Sequence, residues 1–163
     1  MCLHNTTFKH LFIVSIFVLF DVRLFAATAN ATVTLTISSI DSISVSGNPA
    51  TLLVNSATAG NDLNNATDSS TTYAVSTNNS SRRVTASIAS AMPTGLTLSI
   101  QATAPSGGTS TGSVSMSTTA AALVTGISLI ANSGLSLTYT LAATLTATQV
   151  TNATNTVTYT IGP

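Results

Sequence analysis

The sequence predicts an all-β protein, an antiparallel β-sandwich of about seven to nine strands behind an N-terminal signal-peptide helix. Three observations carry this prediction. Apolar residues alternate with Thr or Ser over long stretches of the chain. Gly, Pro and Asn punctuate those stretches at short intervals. Beyond residue 29 no segment repeats its apolar residues with the spacing of an amphipathic helix.

The leader comes first. Lys9 lies in a polar start, an apolar run covers residues 11–20, and small residues follow in Ala26-Ala27-Thr28-Ala29. That order is the layout of a cleavable secretory signal. A spanning helix needs about 20 apolar residues, whereas Asp21 and Arg23 interrupt this run at half that length. The division expected is therefore signal peptide over 1–29 and one sandwich domain over 30–163, with no membrane insertion after cleavage. The destination expected is extracellular or cell-surface, through the periplasm in a Gram-negative host.

The strands follow in order. In residues 31–38, Val33, Leu35 and Ile37 alternate with Thr34, Thr36 and Ser38, which predicts a first strand. Short strands are expected over 42–46 and 51–54. A patternless loop fills 55–70, and loops of that length are often functional. Strands over 72–77 and 83–89 flank Asn78-Asn79-Ser80-Ser81, read as a hairpin turn. Strands over 95–104, 112–117 and 123–130 follow, the last ending at Asn132-Ser133-Gly134. The longest alternation covers 135–148, with Leu135, Leu137, Tyr139 and Leu141 on one face, and 157–161 closes the chain with Val157, Tyr159 and Ile161. A β-solenoid would need a fixed repeat period, and none is present.

Composition narrows function more by exclusion than by assignment. Charged residues make up 5% of the chain, against about 25% in ordinary soluble proteins. Asp41, Asp62, Asp68, Arg82 and Arg83 are the only charged side chains past residue 29. Nucleic acid is not an expected partner, because its capture needs clustered basic residues. The single cysteine, Cys2, both histidines and the only lysine lie in the leader, and there is no Glu. Nucleophile-and-base catalysis needs such a partner titrating near neutrality, so no enzyme and no catalytic residue are expected, and no cofactor.

Weak site candidates remain. Asp62, Asn64 and Asp68 offer closely spaced oxygen ligands of the kind calcium accepts, although Asx residues more often cap their own turns. A ligand-binding module built on the 55–70 loop is thus an alternative reading. Arg82-Arg83 reads as an edge charge that discourages stray strand pairing. Thr-x-Thr recurs at Thr34/Thr36, Thr138/Thr140, Thr144/Thr146/Thr148 and Thr156/Thr158/Thr160, an arrangement that on a flat face would suit an ice-binding surface. Thr is also simply a good strand former.

The alternating segment at 32–38, the Tyr73-Ala74-Val75-Ser76-Thr77-Asn78 strand followed by Arg82-Arg83-Val84, and the terminal Val157-Thr158-Tyr159-Thr160-Ile161 together resemble cysteine-free bacterial fimbrial or pilin-type subunits and related secreted immunoglobulin-like surface domains. The resemblance implies an immunoglobulin-like sandwich and a structural or adhesive role. It also implies a protein partner, a surface partner or another copy of the chain, joined by strand addition in which the N-terminal strand completes a neighbour's sheet. Val33, Leu35 and Ile37 are the candidate assembly residues.

Overall fold

The computed structural model describes residues 26–163. Nearly all of the expected signal peptide lies outside the described residues, and Ala26 to Ala29 have no regular secondary structure. Ile37–Pro163 forms one compact unit, and the described residues before it belong to another.

All regular structure in the described chain is β: β1 (Asp41–Val45), β2 (Ala66–Thr77), β3 (Arg82–Ile88), β4 (Leu96–Ala102), β5 (Thr109–Ser110), β6 (Ser113–Ser115), β7 (Ala121–Ile127), β8 (Ile130–Ala143) and β9 (Val157–Gly162). They form two antiparallel sheets, one of five strands in the order β1-β2-β8-β4-β6 and one of four in the order β5-β7-β3-β9. The alternation sends one side chain in two between the sheets. Tyr73 and Val75 of β2, Val84 and Ala86 of β3, Ile100 of β4 and Leu137 of β8 all lie in this buried layer. The outer faces carry mainly Ser and Thr. The all-β sandwich expected from periodicity is the fold observed.

Several local expectations change. Residues 31–38 form no strand, and Val33, Leu35 and Ile37 are 75%, 85% and 87% exposed. Alternation prepares a segment for a sheet but does not supply the neighbouring strand it must pair with. Residues 51–54 likewise form no strand. The supposed loop at 55–70 is shorter, because Ala66 to Ser70 already belong to β2 and pair with β8. A register shift between Asp68 and Thr71 hides this stretch from a period-two reading. The Asn78–Ser81 turn is not a hairpin turn. β2 and β3 lie in different sheets, so the turn crosses the sandwich, with Ser81 at φ 58°.

Asn132-Ser133-Gly134 does not end a strand. It forms a bulge inside β8, where the register against β2 slips between Tyr73 and Val75 and Gly134 takes φ 68°. β8 therefore starts earlier than expected. It also ends earlier, at Ala143, where its partner β4 begins at Leu96 and no strand lies beyond it to pair with. The Thr144 amide donates instead to the Gly95 carbonyl, and the chain turns.

Candidate assembly surface

The geometry of interest lies along one side of the sandwich, where β1 edges the five-stranded sheet and β9 the four-stranded one. β9 pairs with β3 in continuous register from Ile88↔Val157 to Arg83↔Gly162. On its other side it has no strand among the described residues. Its inward face shows the consequence. Val84, Ala86 and Ile88 on β3 are fully buried, while Val157, Tyr159 and Ile161 beside them are only half-buried. Ile43 and Val45 of β1 are half-buried in the same way.

Between these edges the sandwich opens into a cleft of about 630 Å³, whose walls include Val45, Leu52, Leu98, Tyr139, Val157 and Tyr159. Tyr159 Oη donates to Tyr139 Oη at 2.7 Å in its floor. Burial raises the pKa of both phenols; the hydrogen bond raises that of the donor Tyr159 further and lowers that of the acceptor Tyr139.

At the end of the sandwich where β1 begins, the entering chain is pinned. The Ile40 amide donates to Asn78 Oδ1 at 2.7 Å, and Asn78 Nδ2 donates to the Ser38 carbonyl at 2.8 Å. Asn79 Nδ2 donates to the Ile40 carbonyl and to Asp41 Oδ1. Thr77 Oγ1 donates to the same carboxylate at 2.6 Å, and Arg82 Nε approaches Asp41 Oδ2 at 3.0 Å. The hydrogen bonds from Thr77 and Asn79, helped by the Arg82 charge, hold the Asp41 carboxyl below its ordinary range. The sequence marked Asn78 and Asn79 only as turn residues; their second use, tying residues 38–41 to the β2–β3 crossing, has no one-dimensional signal.

The other candidate residues are placed as follows. Arg82 and Arg83 are not edge residues, since β3 has β7 on one side and β9 on the other. Arg82 serves Asp41, and Arg83 Nε donates to the Pro163 carbonyl. Asn64 bonds Ser56 and Thr58 across the 56–64 loop, which the Ala57↔Leu63 bridge closes. Asp68 accepts from the Ser70 amide and hydroxyl at the β2 irregularity. Asp62 lies between the turn at Ala59-Gly60 and the bridge residue Leu63. Asn64 and Asp68 thus bond within their own stretches of chain, Asn64 in the 56–64 loop and Asp68 inside β2, and no group of three His, Cys, Asp or Glu side chains gathers among the described residues. Thr138 and Thr140 lie on the five-stranded sheet and Thr158 and Thr160 on the four-stranded one, so these two rows do not share a plane. Compared with protein-family models, with curated proteins and with solved structures, the chain matches none.

Proposed function

We propose that this chain is an exported, non-enzymatic structural or adhesive surface protein whose immunoglobulin-like sandwich assembles with other copies by strand addition. The segment 31–37 of one copy adds to the free edge of β9 in the next, running antiparallel to it as every paired strand in the two sheets does. The observation that carries this reading is the half-covered face of β9, where Val157, Tyr159 and Ile161 lack the cover that their β3 neighbours have.

The donor matches the acceptor in pattern and length. Residues 31–37 contain no charge and place Val33, Leu35 and Ile37 two apart, the spacing that puts all three on one face of a strand. β9 is 6 residues long, so a segment of this size covers it. Addition would satisfy one row of free backbone groups in each partner and bury three large apolar side chains.

Replacing Val33, Leu35 and Ile37 together by Ser tests the reading. Light scattering across a concentration series should show association of the unaltered protein and a monomer for the triple variant, with the same melting temperature at low concentration. Association of the triple variant equal to that of the unaltered protein would refute strand addition by this segment.

A further inference from the structure

The tyrosine hydroxyls of the sandwich are paired, with one exception. Tyr73 Oη donates to the Thr103 carbonyl, and Tyr159 Oη donates to Tyr139 Oη. Tyr139 Oη accepts that bond, but its own proton has no acceptor among the described residues. Tyr139 is 3% exposed, and a buried donor left unmatched is unfavourable. Its side chain lines the cleft between β1 and β9.

That cleft has the build of a small-molecule site. Its volume of about 630 Å³ falls in the usual range of about 300–1,000 Å³. Leu52, Met92, Leu98 and Val157 supply apolar wall, and no Asp or Arg is part of the lining. The stretches that frame it are anchored where they meet the sheets. Asn155 Nδ2 donates to the Ser90 carbonyl at 2.6 Å, its Oδ1 accepts from the Ser90 amide at 3.3 Å, and the Ala89 amide donates to the Thr156 carbonyl. On the opposite side the Ser46 amide donates to the Thr72 carbonyl, and Ser46 Oγ accepts from the Thr72 amide. The walls are thus formed before anything enters. The Asn155 amide group is already used within the protein, which leaves the Tyr139 proton as the buried donor still free for an occupant.

We propose that this cleft binds an uncharged, mainly apolar small molecule through a hydrogen-bond acceptor that takes the Tyr139 proton. An ionised group entering there would give up its water and meet no opposite charge. A carbonyl on an aromatic or aliphatic body satisfies the tyrosine and covers the apolar wall together. No lining residue precedes Val45, so occupancy does not depend on residues 31–37 or on association of the chain.

Three probes of one shape test the site by ligand-observed NMR: acetylnaphthalene, ethylnaphthalene and naphthoate, all with the same substitution pattern. The unaltered protein should bind the ketone about fivefold or more tightly than the ethyl compound, which lacks the acceptor. The naphthoate should bind most weakly. Tyr139→Phe should bring the ketone and the ethyl compound to equal affinity. Ala50→Trp, at an exposed loop position on the cleft, should weaken both, and it decides the matter if Tyr139→Phe does not fold. The Val33/Leu35/Ile37 triple Ser variant should bind the ketone as the unaltered protein does, whether or not it still associates. No ketone binding at about 1 mM, a preference for naphthoate, a ketone preference that survives Tyr139→Phe, or ketone binding unchanged in Ala50→Trp would each overturn the assignment.

Discussion

Tyr159 of β9 and Tyr139 of β8 join the two sheets by a hydroxyl-to-hydroxyl hydrogen bond of 2.7 Å, a polar link across a mainly apolar layer. The two hydroxyls depend on each other. Burial raises both phenols, so removing either hydroxyl leaves its partner without its bond, and Tyr159→Phe and Tyr139→Phe should each cost about 1–3 kcal/mol. Urea denaturation of both single variants and the double variant is the check, and the double variant should lose less than the sum of the two single losses. A double loss equal to that sum would contradict the coupling.

Alkaline pH should unfold the domain through its tyrosines. Tyr73, Tyr139 and Tyr159 are the only tyrosines, and no Lys or Cys lies beyond residue 29. Burial raises all three phenols, with Tyr73 pushed up to about 12. A raised pKa means that the folded state keeps its proton where the unfolded chain, titrating near 10, releases it. The stabilisation is therefore complete below about pH 10 and is lost as pH rises through about 12. Phenolate absorbance and circular dichroism should change together over that window. Phenolate appearing near pH 10 with the fold intact would contradict it.

Gly95 is a position where a methyl group cannot be placed. It holds φ 81°, and a Cβ there would lie 2.7 Å from both the Cα and the amide nitrogen of Ala147. Gly95→Ala should destabilise by at least about 2 kcal/mol, combining left-handed strain with displacement of the 144–147 turn. Trimming the other side with Ala147→Gly should not restore stability, since the clash is with backbone. Gly162→Ala, with nothing within 4 Å, serves as a near-neutral comparison in thermal melts.

Periodicity made legible which face of each strand is buried, and it did so well for the centre of the molecule. Leu135, Leu137 and Tyr139 read as one inward face and lie in the core. Turn residues were less legible, because one residue type serves several geometries. Gly134 looks like a strand terminator and instead permits a bulge within β8. Asn78-Asn79-Ser80-Ser81 looks like a hairpin turn and instead carries the chain from one sheet to the other. The candidate site was half visible: Val33, Leu35 and Ile37 could be picked out, but not the β9 edge, which is defined by what lies beside it.

By itself the sequence determined that the described residues are all-β, that most of their inward side chains are aliphatic or tyrosine, and that few charged groups accompany them. These are properties of composition and period, local to each segment. Tertiary structure alone decided which strands have neighbours. Residues 31–38 and 157–161 obey the same alternation, yet among the described residues only the latter pair with a strand. A backbone hydrogen bond needs two partners, and the second is chosen by the fold rather than by the segment.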